Sequence, residues 1–355
     1  MRRLPDISPV LALAVLGAAV FMPLSLVLSM LCVIALVGAV LSAVHHAEVV
    51  AHRVGEPFGT LVLAVAITVI EVALIISLMI AAGPGKAALP RDTIYAAVMI
   101  ICNGVVGVCL LVGGLHHREQ SFRIEGTGPG LAALVALSTL SLVLPTFTTS
   151  SPEGTYTYSQ LVFVGASSLA LWAVFVFVQT VRHRDYFLPQ VGADDEQAHA
   201  PPPSLGRTWA SLGLLLMSLV GVVGLAKVLS PLIEGAVAAA SAPKAVVGIV
   251  IAMLVLLPET WAAVRAARAD RLQTSMNLAI GSALASIGLT IPAVVAASVV
   301  LGLPLVLGLE SKDMVLLGLT FLVGSITLAS GRTNVMQGAV HLVIFAAFLF
   351  LALVP

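Results

Sequence analysis

"RHRDYFLPQVGADDEQAHAPPPSLGR", residues 182–207, is the one long polar stretch in a chain of 355 residues. Its proline and acidic content reads as a flexible linker. Nearly everything on either side of it is apolar. The chain is 59% hydrophobic and 10% charged, where an average soluble domain carries roughly 25% charged residues. Apolar runs repeatedly reach the roughly 20 residues that a helix needs to cross a bilayer. A soluble helical core of this composition would leave too little polar surface to cover itself. The sequence therefore predicts an all-α polytopic membrane protein, and the linker divides it.

Hydropathy marks eleven spans, near 9–22, 24–46, 60–82, 93–115, 130–146, 159–181, 208–230, 241–263, 276–302, 313–329 and 336–354. Residues 1–23 form an N-terminal transmembrane helix, although 9–46 also reads as one span plus a re-entrant piece. Residues 24–181 and 208–355 then hold five spans each, on either side of the acidic, proline-rich linker. An odd number of spans flips the second copy, which is the arrangement of an inverted repeat.

Charge sets the orientation. With the N-terminus cytoplasmic, Arg2, Arg3, Arg53, Arg118, Arg123, Arg182, Arg184, Arg207, Arg265, Arg268, Arg271 and Arg332 all fall on the cytoplasmic side. Lys86, Arg91, Lys244 and Lys312 fall on the other, and Lys227 lies within a span. Twelve against four follows the positive-inside rule. The linker is then cytoplasmic and the C-terminus outside, in a multi-pass protein of the plasma (inner) membrane. No small-residue cleavage site follows the first apolar stretch, so no cleavable signal peptide is expected. The formal net charge is zero, which gives no reason to expect nucleic acid. Cys32, Cys102 and Cys109 all sit in apolar segments and match neither a disulfide framework nor a CxxC metal pattern.

Against this background the polar residues inside spans stand out. Glu71 lies in "TVIEVALIISLM", residues 68–79, with no basic neighbour in sequence. A carboxylate at the centre of a spanning helix costs about 2.5–3.5 kcal/mol, so it normally faces a bundle interior or a water-filled path. A hydrogen-bonded carboxyl locking helices together is the plainer alternative. Glu259 in "LPETWAAV" occupies the equivalent span of the second half. Pro258 precedes it and removes a backbone donor, which kinks or breaks the helix. Broken helices at membrane depth offer carbonyl oxygens to cations. Arg265 and Arg268 follow soon after, so an interfacial ion pair is the competing reading of Glu259.

The next span of each half is rich in small and polar residues, "CNGVVG" at 102–107 and "GSALASIG" at 281–288. Ser282 and Ser286 are four apart and share a helix face. Gly281 and Gly288 are expected to allow close helix approach, and small-residue packing is the plain reading of the whole stretch. Asn277 and Thr290 extend the polar set, as Asn103 and Thr68 do in the first half. Two carboxylates with hydroxyl, amide and carbonyl oxygens make a hard-oxygen site, suited to calcium or sodium rather than zinc or copper.

"HHAEVVAHRVGEPFG", residues 45–59, joins the second and third spans. It is not HExxH, which leaves a zinc protease without its motif. It reads as a solvated cytoplasmic connector, or as a proton or ion entry path built from Glu48, His52 and Glu56, since histidine titrates near physiological pH.

Three stretches carry a family likeness. "AHRVGEPFGTLVLAVAITVIEVALIISLM", "LPETWAAV…LQTSMNLAIGSALASIGLTIPAV" and "SGRTNVMQGAVHLVIFAAFLFLA" resemble the bacterial ChaA-type calcium/proton antiporters of the cation/calcium exchanger superfamily. The resemblance implies a sodium/calcium exchanger-like fold of one N-terminal helix and two inverted five-helix repeats. It implies that Glu71 and Glu259 bind the ion, with Ser282 beside them and Asn103, Ser286 and Thr68 around them. "TVIE" and "LLPE" stand where the wider superfamily carries an Asn-bearing motif. With fewer amide ligands, exchange of sodium or potassium for protons stays open beside calcium export.

The resemblance thus implies a secondary transporter, with inorganic cations, protons and lipid as partners and no cofactor. When both glutamates are ionised they balance one calcium ion. Burial disfavours the ionised form, so protons and cation compete for the same oxygens, and the site crosses loaded with one or the other. The rivals have little support. An intramembrane aspartyl protease needs a pair of aspartates in span cores, where none is found. A membrane zinc hydrolase needs converging histidines, but the histidines are cytoplasmic apart from His341 in the last span. An uncoupled channel would pass cations without proton movement.

Overall fold

The computed structural model describes residues 4–55, 58–82, 87–152, 154–187, 203–239, 243 and 245–354. Glu56 and most of the linker lie outside the described residues. Among the described residues, nine helices are long and apolar enough to cross a membrane. A bent pair, Val246–Leu257 with Glu259–Arg268, makes one more, and Val65–Ile80 is a shorter apolar helix. Ten of the eleven expected spans are thus of spanning length, and the expected span near 60–82 is represented by this shorter helix.

The chain divides into two compact units. The first comprises Met1–Lys86 and Asp195–Val247, the second Ala87–Asp194 and Gly248–Pro355. In the first unit, α1 (Leu4–Phe21) and α2 (Leu26–Val54) are separate helices rather than one span and a re-entrant piece. Ser25 caps α2, its hydroxyl accepting from the Leu28 amide. The helix then runs through 45–54, which the sequence suggested was a connector. No proline or glycine interrupts that stretch, and the chain leaves the helix only at Gly55, whose φ of 77° favours glycine. α3 (Phe58–Ala82) packs against α2 and against α8 (Leu205–Ala239). α2 and α8, the first helices of the two halves, pack against each other. Their ends are tied to α1: Arg207 pairs with Asp6 at 2.9 Å, and Ser42 donates to the Pro5 carbonyl at 2.6 Å.

In the second unit one span is built from α4 (Leu89–Met99), a π-helical turn Ile100–Val105 and α5 (Val106–His117). It is followed by α6 (Ile124–Ser138), α7 (Tyr158–Phe177), α9 (Ala245–Arg268), α10 (Leu272–Leu301), α11 (Ser311–Ala329) and α12 (Val335–Leu353). A two-residue antiparallel pairing, Gln120–Ser121 with Arg332–Thr333, joins the turns before α6 and α12. His117 bonds the Arg268 carbonyl, and Arg123 bonds the Asp185 carbonyl. These contacts put the ends of α5, α7 and α9 and the starts of α6, α10 and α12 at one end of the unit. Arg91 bonds the Gly308 carbonyl at the other end, at 2.8 Å. Equivalent helices of the two halves therefore run in opposite directions: the α4–α5 span against α10, α6 against α11, α7 against α12. That is the inversion expected from five spans per half.

Close packing is set by particular glycines. A Cβ on Gly338 of α12 would lie 2.5 Å from the Leu111 amide nitrogen, and one on Gly288 would lie 2.8 Å from the Trp172 Cβ. Gly281 differs from the expectation. A Cβ there meets nothing within 4 Å, although Gly281 and Gly288 lie two turns apart on nearly the same face of α10, so the close approach is confined to Gly288.

Candidate functional site

α9 is one hydrogen-bonded helix bent by 53° between Val246–Leu257 and Glu259–Arg268. Pro258 sits at the bend. It has no amide hydrogen, so the carbonyl four residues earlier loses its usual partner. The bend is the helix break expected from the sequence, and it sets Glu259 opposite α10. There the Ser282 hydroxyl donates a short hydrogen bond to Glu259 Oε2.

This pair lies in a small cleft of the second unit. Ile101 and Val105 form one wall, Leu256, Thr260 and Ala263 of α9 another, and Leu278 and Ala279 of α10 a third. The cleft has room for roughly one water or one bare ion. The Thr260 hydroxyl is turned to the Leu256 carbonyl at 2.7 Å. The donors offered to an ion are thus a carboxylate and a hydroxyl in an otherwise apolar cleft, a hard-oxygen set fit for alkali or alkaline-earth cations. Arg265 and Arg268 lie about two and two and a half turns beyond Glu259 along α9, toward the basic end of the unit.

The other expected site residues are placed as follows. Ser286 is buried one turn beyond Ser282 on α10. Asn277 is drawn to the far end, where it donates to the Phe187 carbonyl and accepts from Gln273. Glu71 is buried in the first unit, with Thr68 one turn before it on the same face of α3. Their neighbours on that face, Ile67, Ile70, Leu74, Ile75 and Leu78, are buried too, so the carboxyl belongs to the packed side of the helix. Glu48 and His52 are exposed near the end of α2. His46, read from sequence as part of a solvated connector, is fully buried and bonds the Pro5 carbonyl at 3.1 Å.

Asn103 is fully buried inside the π-helical turn and is committed to a network that sequence reasoning missed. Its amide nitrogen donates to the Thr320 hydroxyl at 2.9 Å. Its carbonyl faces His341 Nδ1 at 3.2 Å, and His341 Nε2 faces the Thr327 hydroxyl at 3.1 Å. Only the presence of a histidine in an apolar span could have pointed to it. Among the described residues, no three histidine, cysteine, aspartate or glutamate side chains converge to hold a resident metal.

Two halves whose equivalent helices run in opposite directions are an arrangement found in many secondary transporters. The chain belongs to the sodium/calcium exchanger protein family, whose model matches residues 24–181 and 210–354, and it is a multi-pass secondary transporter of that class, not an enzyme. It is 52% identical over 324 residues to "Putative ionic transporter y4hA" of Sinorhizobium fredii, covering 90% of this chain and 87% of that one. It is 35% identical to "Sodium-potassium/proton antiporter ChaA" of Escherichia coli, covering 97% and 94%. Its fold is shared with the solved H+/Ca2+ exchanger CAX, at a TM-score of 0.71 and 14% identity over 97% of this chain and 86% of that one. Native YfkE has the same fold, at 0.69 and 16% identity, covering 98% and 99%.

Proposed function

We propose that the protein is a cation/proton antiporter that exports calcium in exchange for protons, with Glu71 and Glu259 as the groups that carry ion and proton. The observation that carries this reading is the Glu259 carboxylate, bonded to Ser282 in an apolar cleft at the bend of α9. Burial in an apolar cleft disfavours an empty, ionised carboxylate there. A cation or a proton restores the balance, and each excludes the other. Glu71 holds the matching place in the first half. Two negative charges neutralise one divalent cation and are equally neutralised by two protons.

The Ser282 hydroxyl holds the carboxylate when the site has no cation, and turns its oxygen toward the metal when one arrives. Thr68 adds a hydroxyl oxygen one turn from Glu71, and Ser286 adds one a turn beyond Ser282. Asn103 stands further back, with its amide held by Thr320 and His341. Alternating access is supplied by rocking of helix groups, as inverted repeats allow. Glu48 and His52, exposed at the end of α2, feed protons or ions to the site from the cytoplasmic side, with Glu56 beyond them.

The positive-inside count supports an inner-membrane orientation with the N-terminus and the 182–207 linker cytoplasmic and the C-terminus outside. The gathering of Arg118, Arg123, Arg265, Arg268 and Arg332 at one end of the second unit supports the same orientation. A second reading, exchange of sodium or potassium for protons, is favoured by the 35% identical relative named as a sodium-potassium/proton antiporter.

The test is purified protein in liposomes under an imposed pH gradient, with calcium, sodium and potassium supplied in turn. Cation-dependent proton movement with calcium supports the first reading, and movement with sodium or potassium alone supports the second. Cation flux indifferent to the pH gradient contradicts both.

A further inference from the structure

The buried chain of side chains behind the cleft has a direction, and the direction assigns a role. The Thr320 hydroxyl donates to the Leu316 carbonyl at 2.8 Å. Its oxygen must therefore accept from the Asn103 amide nitrogen, which fixes which way the Asn103 amide points. The Asn103 carbonyl oxygen then faces His341, and only a hydrogen on Nδ1 can bond it. In a neutral imidazole Nε2 is left as acceptor, and the Thr327 hydroxyl supplies the donor at 3.1 Å. Thr327, His341, Asn103 and Thr320 thus form one unbroken line from α11 through α12 to the π-helical turn and back to α11. All four side chains are buried.

That turn is where the line acts. π-helical turns are rare, and they appear mostly as single turns inside α-helices, often at functional sites. Ile101 and Val105, two residues either side of Asn103, line the Glu259–Ser282 cleft. Asn103 points away from the cleft and into the His341 network. The rotation of this turn therefore sets how Ile101 and Val105 stand opposite the carboxylate. α12 brings His341 within reach because Gly107 and Gly338 let it lie against α5. A Cβ on Gly107 would come 3.1 Å from the His341 Cβ.

We infer that His341 is a positioning residue for the cleft: through Asn103 it holds the π-helical wall against which Glu259 takes its cation. It touches neither Glu259 nor the ion. The inference rests on the exchanger reading for its functional half, while its structural half stands alone.

The test uses the full-length protein and three forms of it. His341→Leu keeps the volume and removes both ring nitrogens. His341→Asn keeps an N–H near the position of Nδ1. Hydrogen–deuterium exchange in detergent reads the Ile100–Val105 amides, and reconstituted protein gives the apparent KM and maximal rate for the cation that the wild type exchanges. The expected result is faster amide exchange at 100–105 in His341→Leu, with α7 unchanged. The KM should rise about fivefold, the scale of couplings carried through packed networks, with a smaller change in maximal rate. His341→Asn should recover most of both. A folded His341→Leu with wild-type amide exchange and KM overturns the inference and leaves the exchanger standing. So does a fall in maximal rate that the Asn form fails to repair. A wild type that moves no cation against protons removes the exchanger reading and the functional half together, and the amide exchange then decides the structural half.

Discussion

The Ser282 hydroxyl donates to Glu259 Oε2 from the facing helix. A hydroxyl on a helix of small residues thereby holds a carboxylate that a proline bend has turned out of α9. A carboxylate is rare inside a membrane, where it normally faces a bundle interior or a water-filled path. Together the carboxylate and the hydroxyl put two oxygen ligands in an otherwise apolar cleft of the second unit.

Ser282→Ala removes that donor and one hydroxyl oxygen. The cation loses one oxygen ligand, and if that contact is worth about 1.5 kcal/mol, the low end for a bond to a charged group, the apparent cation affinity should fall about tenfold. Ser282→Thr, which keeps the hydroxyl, should lose much less. The comparison is made on initial rates of cation-driven proton movement.

Proton competition gives the sign of the pH dependence. Lowering the pH on the loading side protonates the carboxylates that the cation needs bare. The KM for the cation should rise as pH falls, by at most about 100-fold per unit if two protons leave and about tenfold if one does. A KM that is flat across the range in which transport operates would remove the competition model.

Pro258→Ala restores the missing amide hydrogen and favours a straighter α9. The 53° bend should diminish and Glu259 should swing away from Ser282. Transport should fall while the protein stays folded, since a proline inside a helix costs about 3 kcal/mol that alanine does not. Thermal stability measured in detergent should rise or hold as activity drops.

Gly338→Ala places a methyl 2.5 Å from the Leu111 amide nitrogen. The neighbour is backbone and cannot turn aside, so overpacking should cost about 1–3 kcal/mol. Gly281→Ala, which meets nothing within 4 Å, should be close to neutral. The pair separates the packing glycine from the free one by melting temperature alone.

Much of this was legible in the sequence, for physical reasons that can be named. Spans are read from length and hydropathy, and the bilayer enforces both. The inversion followed from five spans on each side of the linker, and the opposed directions of the α4–α5 span and α10 agree with it. Pro258 and Glu259 were legible because each breaks a rule of membrane helices at the same place. What was not legible depends on which way a side chain turns. Asn103 sits in a π-helical turn, where the helical period that sequence arguments use no longer holds, and it faces α11 and α12. Asn277 shares the α10 sequence pattern with Ser282 but lies a turn and a half away and bonds a loop carbonyl. The polar residues at 45–54 suggested a connector, yet α2 continues because only Gly55 offers it an exit, and His46 is buried as a result.

The central claim is that one carboxylate binds proton and cation by turns. The most direct test is Glu259→Gln in liposomes, with internal pH and cation content followed together under an imposed gradient. The neutral amide has no proton to exchange and no charge to offer a metal, so both fluxes should vanish together in a protein that still folds. Coupled exchange at the wild-type rate in Glu259→Gln would contradict the account.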